Sequence, residues 1–399
     1  RAAAARIESG CLNEGSVDEL AEGLGVTARH LRRAMVSELG VSPVELAQTV
    51  RLALAKQLLH DTALPIVDVA FAAGFESVRR FNALFQSRFG RSPGAVRRAV
   101  APPGAPRDCI VLRLDFRPPF DWQALLGFLG RRALPGVETV EDGEYRRTVC
   151  IDGKTGWVAV SAAKTRPALL ARVSLTLATR LVKVVARLRA LFDLNAQPAL
   201  IDSHLGQDPL LAVGLERHPG LRVPGAFDGF ELAVRAVLGQ QVSVRGAVTL
   251  CGRLARAFGQ PALGCPEGLE RIFPAADVLA QASLEDVRAI GLPQARARAI
   301  VELARAVLER RVALDATAAP EAVAAQLRAL PGLGDWTASY VTMRALGWPD
   351  AFPAGDLALR KALGATSARA AEELSLRWQP WRAYAAMHLW TGLTEGGGP

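Results

Sequence analysis

The chain is 399 residues long and half apolar, with 48 lysines and arginines against 39 aspartates and glutamates, a net charge of +9. That length exceeds what one hydrophobic core organises, so two or three domains are expected. No uninterrupted apolar run of about 18 residues and no N-terminal signal pattern points to a membrane or a secretory route. Five scattered cysteines, Cys11, Cys109, Cys150, Cys251 and Cys265, form no CxxC pair, which argues against a disulfide framework, a zinc site and an iron–sulfur cluster. A soluble cytoplasmic protein with reduced thiols is expected, and its charge favours a polyanionic partner, most commonly nucleic acid.

The chain opens at Arg1 without a methionine and runs straight into an apolar, helix-patterned segment, so it is expected to be part of a longer polypeptide. An internal repeat follows. Ser16 to Val26 reads as a capped amphipathic helix ending in a glycine turn, and Thr27 to Arg33 as a second helix with basic residues in its first turns. Some fifty residues later Pro65 to Phe75 and Glu76 to Phe81 repeat the pattern, and each copy closes on Gly-x-Ser-Pro, at Gly40 to Pro43 and Gly90 to Pro93. These read as two helix-turn-helix units, in which one helix braces another whose N-terminal side chains enter the major groove. Arg29, Arg32, Arg33, Ser77, Arg79 and Arg80 sit where base or phosphate contacts fall. The segment from Ser16 to Arg98 resembles the AraC-type DNA-binding domain, with a long connecting helix over Pro43 to His60. That resemblance implies sequence-specific binding of double-stranded DNA.

A proline-rich linker is expected over 99–108. Beyond it the period switches to two in Cys109 to Phe116, Tyr145 to Ile151 and Trp157 to Ala162, with helices near Asp121 to Arg132 and Thr176 to Phe192, giving a small α+β domain over 109–194. From 195 to 399 the pattern is helical almost throughout, with helices near Gly229 to Leu238, Val244 to Phe258, Ser283 to Ile290, Pro293 to Arg310, Pro320 to Ala329 and Trp336 to Leu346. The expected fold class is therefore multidomain and mainly α: a tandem helix-turn-helix domain over 1–98, a small α+β domain and an all-α domain.

Leu330-Pro331-Gly332-Leu333-Gly334-Asp335-Trp336-Thr337 joins two of these helices through a tight turn. Glycines at 332 and 334 are expected to allow left-handed dihedrals and close backbone approach, leaving N–H groups at the next helix start to meet a phosphate. Leu330, Gly332, Leu333, Gly334 and Thr337 would form this hairpin, which holds DNA without reading its sequence. Twenty residues after Trp336 comes Asp356, a carboxylate isolated among apolar and basic residues at a helix start. A hairpin between helices, a Gly/Pro-rich loop and one aspartate resemble the HhH-GPD superfamily of base-excision glycosylases. From Cys109 to Glu395 the chain is similar to the AlkA type, 3-methyladenine DNA glycosylase II, on Gly220 to Gly225, Ala236 to Val244 and Pro380 to Trp390.

The resemblance implies an enzyme that hydrolyses the N-glycosidic bond of alkylated purines in double-stranded DNA. It makes Asp356 the catalytic carboxylate and places Trp336, Tyr340 and Trp390 around the base, where electron-rich ring faces attract a cationic methylated purine. Gln241 takes the family's wedge position, filling the gap left by the flipped nucleotide, with Gln240 and Val242 as alternatives. Bifunctional relatives carry a lysine where this chain has Trp336, so no lyase chemistry is expected. Some relatives have two consecutive acidic residues where this chain has Gly355-Asp356, so the match rests on Asp356 alone. No cofactor is expected, apart from a cation at the hairpin when DNA is bound, and the protein is expected to act as a monomer. The combination of domains resembles the bacterial adaptive-response proteins, although their four-cysteine zinc domain and a Pro-Cys-His-Arg alkyltransferase motif are absent from this sequence. Two rival readings stand: a transcription regulator whose glycosylase half only senses damage, and a glycosylase for deaminated or oxidised bases.

Overall fold

The computed structural model describes residues 2–13, 15–100, 108–314 and 318–395. Two compact units form: Arg1–Leu114, Val149–Ser161 and Ala168–Leu188 make the first, and Asp115–Thr148, Ala162–Pro167 and Arg189–Pro399 the second. Among the described residues no helix is long and apolar enough to cross a membrane.

In the first unit the sequence repeat is a structural repeat. Helices Ala28–Leu39 and Val78–Phe89 both span 12 residues, and each starts under a side-chain hydroxyl: Thr27 Oγ1 accepts from His30 N, and Ser77 Oγ from Arg80 N. Each ends at a left-handed glycine, Gly40 at φ 72° and Gly90 at φ 69°, a conformation that costs glycine nothing and satisfies terminal carbonyls. Equivalent positions face inward, Leu31 and Met35 in one copy and Phe81 and Phe85 in the other. The helix Pro43–Asp61 connects the copies and buries Leu52, Leu54, Ala55, Leu58 and Leu59. Gly74 is required by its φ of 88°, and a Cβ there would also displace the Asn13 side-chain amide, 2.5 Å away. Within the same unit, Gln57 Nε2 donates to the Arg113 carbonyl at 2.5 Å and Asp61 faces Arg113 at 3.8 Å. The helix Pro93–Val100 runs past the predicted start of the linker at 99, and residues 101–107 of that linker lie outside those described.

Five strands, β1 (Cys109–Asp115), β2 (Glu138–Glu141), β3 (Glu144–Ile151), β4 (Lys154–Ala162) and β5 (Ala168–Ser174), form one sheet in the order β1-β5-β4-β3-β2. The turns between β2 and β3 and between β3 and β4 are Asp-Gly pairs with both φ positive, at 142–143 and 152–153, the dihedral signature of tight hairpins. Strands β2 and β5 were not expected. Four residues are too few to express a period, and β5 follows a Lys-Thr-Arg-Pro stretch that reads as loop. The predicted helix at 176–192 is divided into a 3-10 turn, Leu175–Arg180, and a helix, Leu181–Leu191.

The second unit is organised around the helix Gly229–Leu238, which packs against Gln294–Leu308 and Asp335–Ala345, the latter also bordered by Pro320–Arg328. Their apolar faces share one core with Cys251 and Leu254 of helix Val244–Phe258. A buried ionic cluster joins the β2–β3 hairpin to the central helix. Arg147 pairs with Glu231 at 2.5 Å and Glu138 at 3.6 Å, and Arg235 with the same carboxylates at 3.0 and 2.9 Å. Tyr145 Oη donates to Glu138 at 2.6 Å. Burial alone pushes the Glu138 carboxyl up, but Arg235, Arg147 and the Tyr145 bond outweigh it and hold it below its ordinary value. Two charges of each sign make the cluster neutral, as burial demands.

Candidate active site and DNA-facing loops

Asp356 is the N-cap of helix Leu357–Ala362, its Oδ1 accepting from the backbone N–H groups of Ala358 and Leu359 at 3.0 and 3.1 Å. Two indoles complete its surroundings. Trp336 Nε1 donates to Oδ2 at 3.1 Å, and Trp390 Nε1 donates to Oδ1 at 3.1 Å. Oδ1 thus receives three donors and Oδ2 one. A carboxylate has about four lone-pair sites, two on each oxygen, so the remaining acceptor capacity lies on Oδ2. Gly355 lies against Trp336, where a Cβ would sit in ordinary contact, 3.4 Å from the tryptophan Cβ.

Trp336 and Tyr340 lie four residues apart on the helix Asp335–Ala345, a spacing that places them on one face. Their rings stack with centroids 5.3 Å apart and planes 13° apart, while Trp390 meets Tyr340 edge-on at 6.3 Å. The next residue of this face, Arg344, was not foreseen. Its guanidinium donates to the carbonyls of Pro224 and Gly225 at 2.7 and 3.0 Å and to Tyr340 Oη at 2.6 Å. It also lies over the rings of Tyr340 and Phe128, and Arg132 lies over Phe128 at 3.8 Å. Burial pushes the Tyr340 phenol up, yet the charges of Arg344 and Arg132 and the Arg344 hydrogen bond prevail, leaving it below its ordinary value. Burial pushes Arg132 down to about 10. The i, i+4 recurrence 336/340/344 is the signal by which sequence reading could have reached Arg344.

The hairpin departs in detail from its expected form. Gly332 is left-handed at φ 83°, and a Cβ there would lie 3.1 Å from Ala299 Cβ. Gly334 is extended instead, at φ −93° and ψ −174°, because it is the N-cap of the next helix and caps take extended geometry. With no side chain at that cap, no side-chain hydrogen bond closes the first turn. Leu330, Leu333 and Thr337 are buried, so the two leucines anchor the turn in the core and Gly332 and Gly334 form its exposed surface. Gln241 is exposed and left-handed at φ 56°, between the end of helix Gly229–Leu238 and the Ser243 cap of Val244–Phe258. In the first unit Arg29, Arg32, Arg33, Ser77, Arg79 and Arg80 are all exposed, and Ser77 doubles as a helix cap. The structure therefore brings Trp336, Tyr340, Trp390 and Asp356 together in the second unit, while the helix-turn-helix residues lie in the first.

Three family descriptions match successive parts of the chain: "Helix-turn-helix domain" over residues 20–99, "AlkA N-terminal domain" over 111–228 and "HhH-GPD superfamily base excision DNA repair protein" over 234–375. The fold of a 3-methyladenine DNA glycosylase from Archaeoglobus fulgidus, 23% identical, covers 72% of this chain and 99% of its own with a TM-score of 0.63. A probable bifunctional transcriptional activator/DNA repair enzyme AlkA of Mycobacterium tuberculosis is 40% identical over 395 residues, spanning 97% of this chain and 79% of the relative. DNA-3-methyladenine glycosylase 2 of Escherichia coli is 35% identical over 286 residues, 72% of this chain and 98% of the relative. The carboxylate held between two indoles beyond a helix-hairpin-helix turn thus lies in the stretch these glycosylases share, and the chain belongs to the AlkA family of DNA-3-methyladenine glycosylases, joined here to an AraC-type helix-turn-helix domain.

Proposed function

We propose that the protein excises alkylated purines from DNA by simple hydrolysis of the N-glycosidic bond, with Asp356 as the catalytic carboxylate. Methylation at N3 or N7 puts positive charge on the base and weakens the bond, so the enzyme need not protonate the leaving group. It must extrude the nucleotide, hold an electron-poor base and stabilise the oxocarbenium-like sugar. The observation that carries this reading is the pair of indole N–H groups on the two oxygens of Asp356. They orient the carboxylate while Oδ2 keeps acceptor capacity for the developing cation or the attacking water.

The Trp336 and Trp390 rings then serve twice, as faces for a cationic base and as donors to Asp356. Tyr340, stacked on Trp336 and held by Arg344, braces this wall. Trp336 stands where lyase relatives have lysine, so no Schiff base forms. The exposed N–H groups and glycines of the hairpin hold phosphate, Gln241 fills the vacated stack, and the helix-turn-helix units bind double-stranded DNA sequence-specifically.

The test is release of free methylated base from alkylated duplex DNA by wild type and by Asp356→Asn, which keeps the cap geometry and removes the charge. The expected loss is on the order of a hundred- to thousand-fold, the scale of a deleted preorganised electrostatic contact. No release by wild type would refute the enzyme reading, and cleavage confined to hypoxanthine or 8-oxoguanine duplexes would reassign the substrate.

A further inference from the structure

Gln240 is half-buried, and its side-chain amide is already committed. Nε2 donates to the Gly332 carbonyl and to Thr337 Oγ1, both at 2.9 Å. Gly332 is the left-handed residue of the hairpin and Thr337 lies in the first turn of the helix that carries Trp336, so one amide grips both sides of that turn. The Gln240 backbone carbonyl in turn accepts from Arg296 Nη2 at 2.9 Å, an anchor on a third helix, Gln294–Leu308. The next residue, Gln241, is exposed and holds a left-handed φ of 56°. A side-chain-bearing residue keeps that conformation only where its surroundings impose it, and Gln240 is the adjoining residue fixed at both side chain and backbone.

We propose that Gln240 is a positioning residue that locks the wedge loop to the phosphate-holding hairpin, so that gripping the backbone and filling the stack occur as one event. This rests on the assignment of Gln241 as the wedge. Gln240 cannot fill that role itself while its amide is bound to the hairpin. A clamp that sets the wedge relative to the phosphates acts on extrusion, and it leaves the affinity of the hairpin for undamaged duplex little changed.

Two variants test the proposal on the full chain. Gln240→Ala deletes the clamp, and Gln240→Glu places a carboxylate opposite the Gly332 carbonyl, which it cannot donate to. With two hydrogen bonds lost, single-turnover excision of methylated purine is expected to fall about ten- to hundredfold, with binding to undamaged duplex changed less than about threefold and the thermal midpoint lowered by no more than the few degrees that two lost bonds imply. The distinguishing readout is a cycle with Gln241→Ala: in that background Gln240→Ala is expected to cost less than about twofold, because the residue it positions is already gone. Losses that multiply independently would overturn the proposal, as would an unchanged rate in Gln240→Ala. Fluorescence of 2-aminopurine beside an abasic-site analogue reads stack disruption without any bond cleavage. Wild type raises it and Gln240→Ala does not if the clamp operates, whereas equal rises overturn the clamp. Absence of excision by wild type, with this difference intact, would instead count against the glycosylase reading.

Discussion

The two indole donors on Asp356 make unequal contributions, and the inequality can be measured. Trp336→Phe and Trp390→Phe each keep an aromatic ring and delete one N–H group. Hydrogen bonds to a charged acceptor are worth about 1.5–3 kcal/mol. Trp390 shares Oδ1 with the N–H groups of Ala358 and Leu359, which stay in place because they belong to the helix backbone. Its deletion removes one donor of three. Trp336 is the one described donor to Oδ2, the oxygen with acceptor capacity to spare, and its deletion frees that oxygen to rotate out of line. The expected cost is about 2 kcal/mol for Trp336→Phe, a rate loss of roughly thirtyfold, and under about 1 kcal/mol, or fivefold, for Trp390→Phe. Single-turnover release of methylated base at saturating enzyme isolates the chemical step, with thermal unfolding as the control for packing. Equal losses, or a larger loss for Trp390→Phe, would refute the division of labour between the two oxygens.

Two further outcomes concern stability. Glu231→Gln leaves Arg147 and Arg235 sharing Glu138 alone, so the buried cluster gains an uncompensated positive charge, and urea unfolding is expected to register a loss of about 3 kcal/mol, the lower end for a broken buried pair; a change under about 1 kcal/mol would contradict the buried-network reading. Asp193 is pushed up to about 6, first by burial, which the Tyr384 hydroxyl, Arg222 and the Val223 N–H offset only in part. A carboxyl whose folded-state pKa is raised binds more protons folded than unfolded between about pH 4 and 6, so its contribution falls as pH rises through that window. Asp193→Asn, which also tolerates the left-handed φ of 50° at this position, is expected to be more stable relative to wild type at pH 8 than at pH 4, and a pH-independent difference in thermal midpoints would show that burial does not govern this group.

The boundary between what the sequence discloses and what it hides follows contact range. Local rules sufficed for the helix-turn-helix repeat, where Ser42 and Pro43 start a helix and Gly40 and Gly90 stop one, and for the helices Gly229–Leu238 and Val244–Phe258, whose limits match expectation. Asp356 was accessible for a related reason: a cap is local, and a hairpin twenty residues upstream supplies its context. Strand β2, at four residues, carries no measurable period; it is held by its antiparallel ladder with β3, Glu138 opposite Arg147, to which the Glu138 pairs with Arg147 and Arg235 add.

The residues that escaped sequence reading are those whose partners are distant in the chain. Arg344 bonds to carbonyls about 120 residues away, and the Gln240 side chain to Gly332 and Thr337, 92 and 97 residues on. Nothing in the composition around Gln240 distinguishes a clamp from a wedge, because a glutamine amide suits both. The distinction arises only when folding brings the hairpin carbonyl within reach and leaves Gln241 as the exposed neighbour. In the sequence alone, then, Asp356 is readable as a helix cap whose role the resemblance implies, while the contacts around it are distributed: Arg344 on Tyr340, Arg132 against Phe128 and Gln240 across the hairpin. A substitution series confined to Trp336, Tyr340, Asp356 and Trp390 would leave these long-range contacts unmeasured.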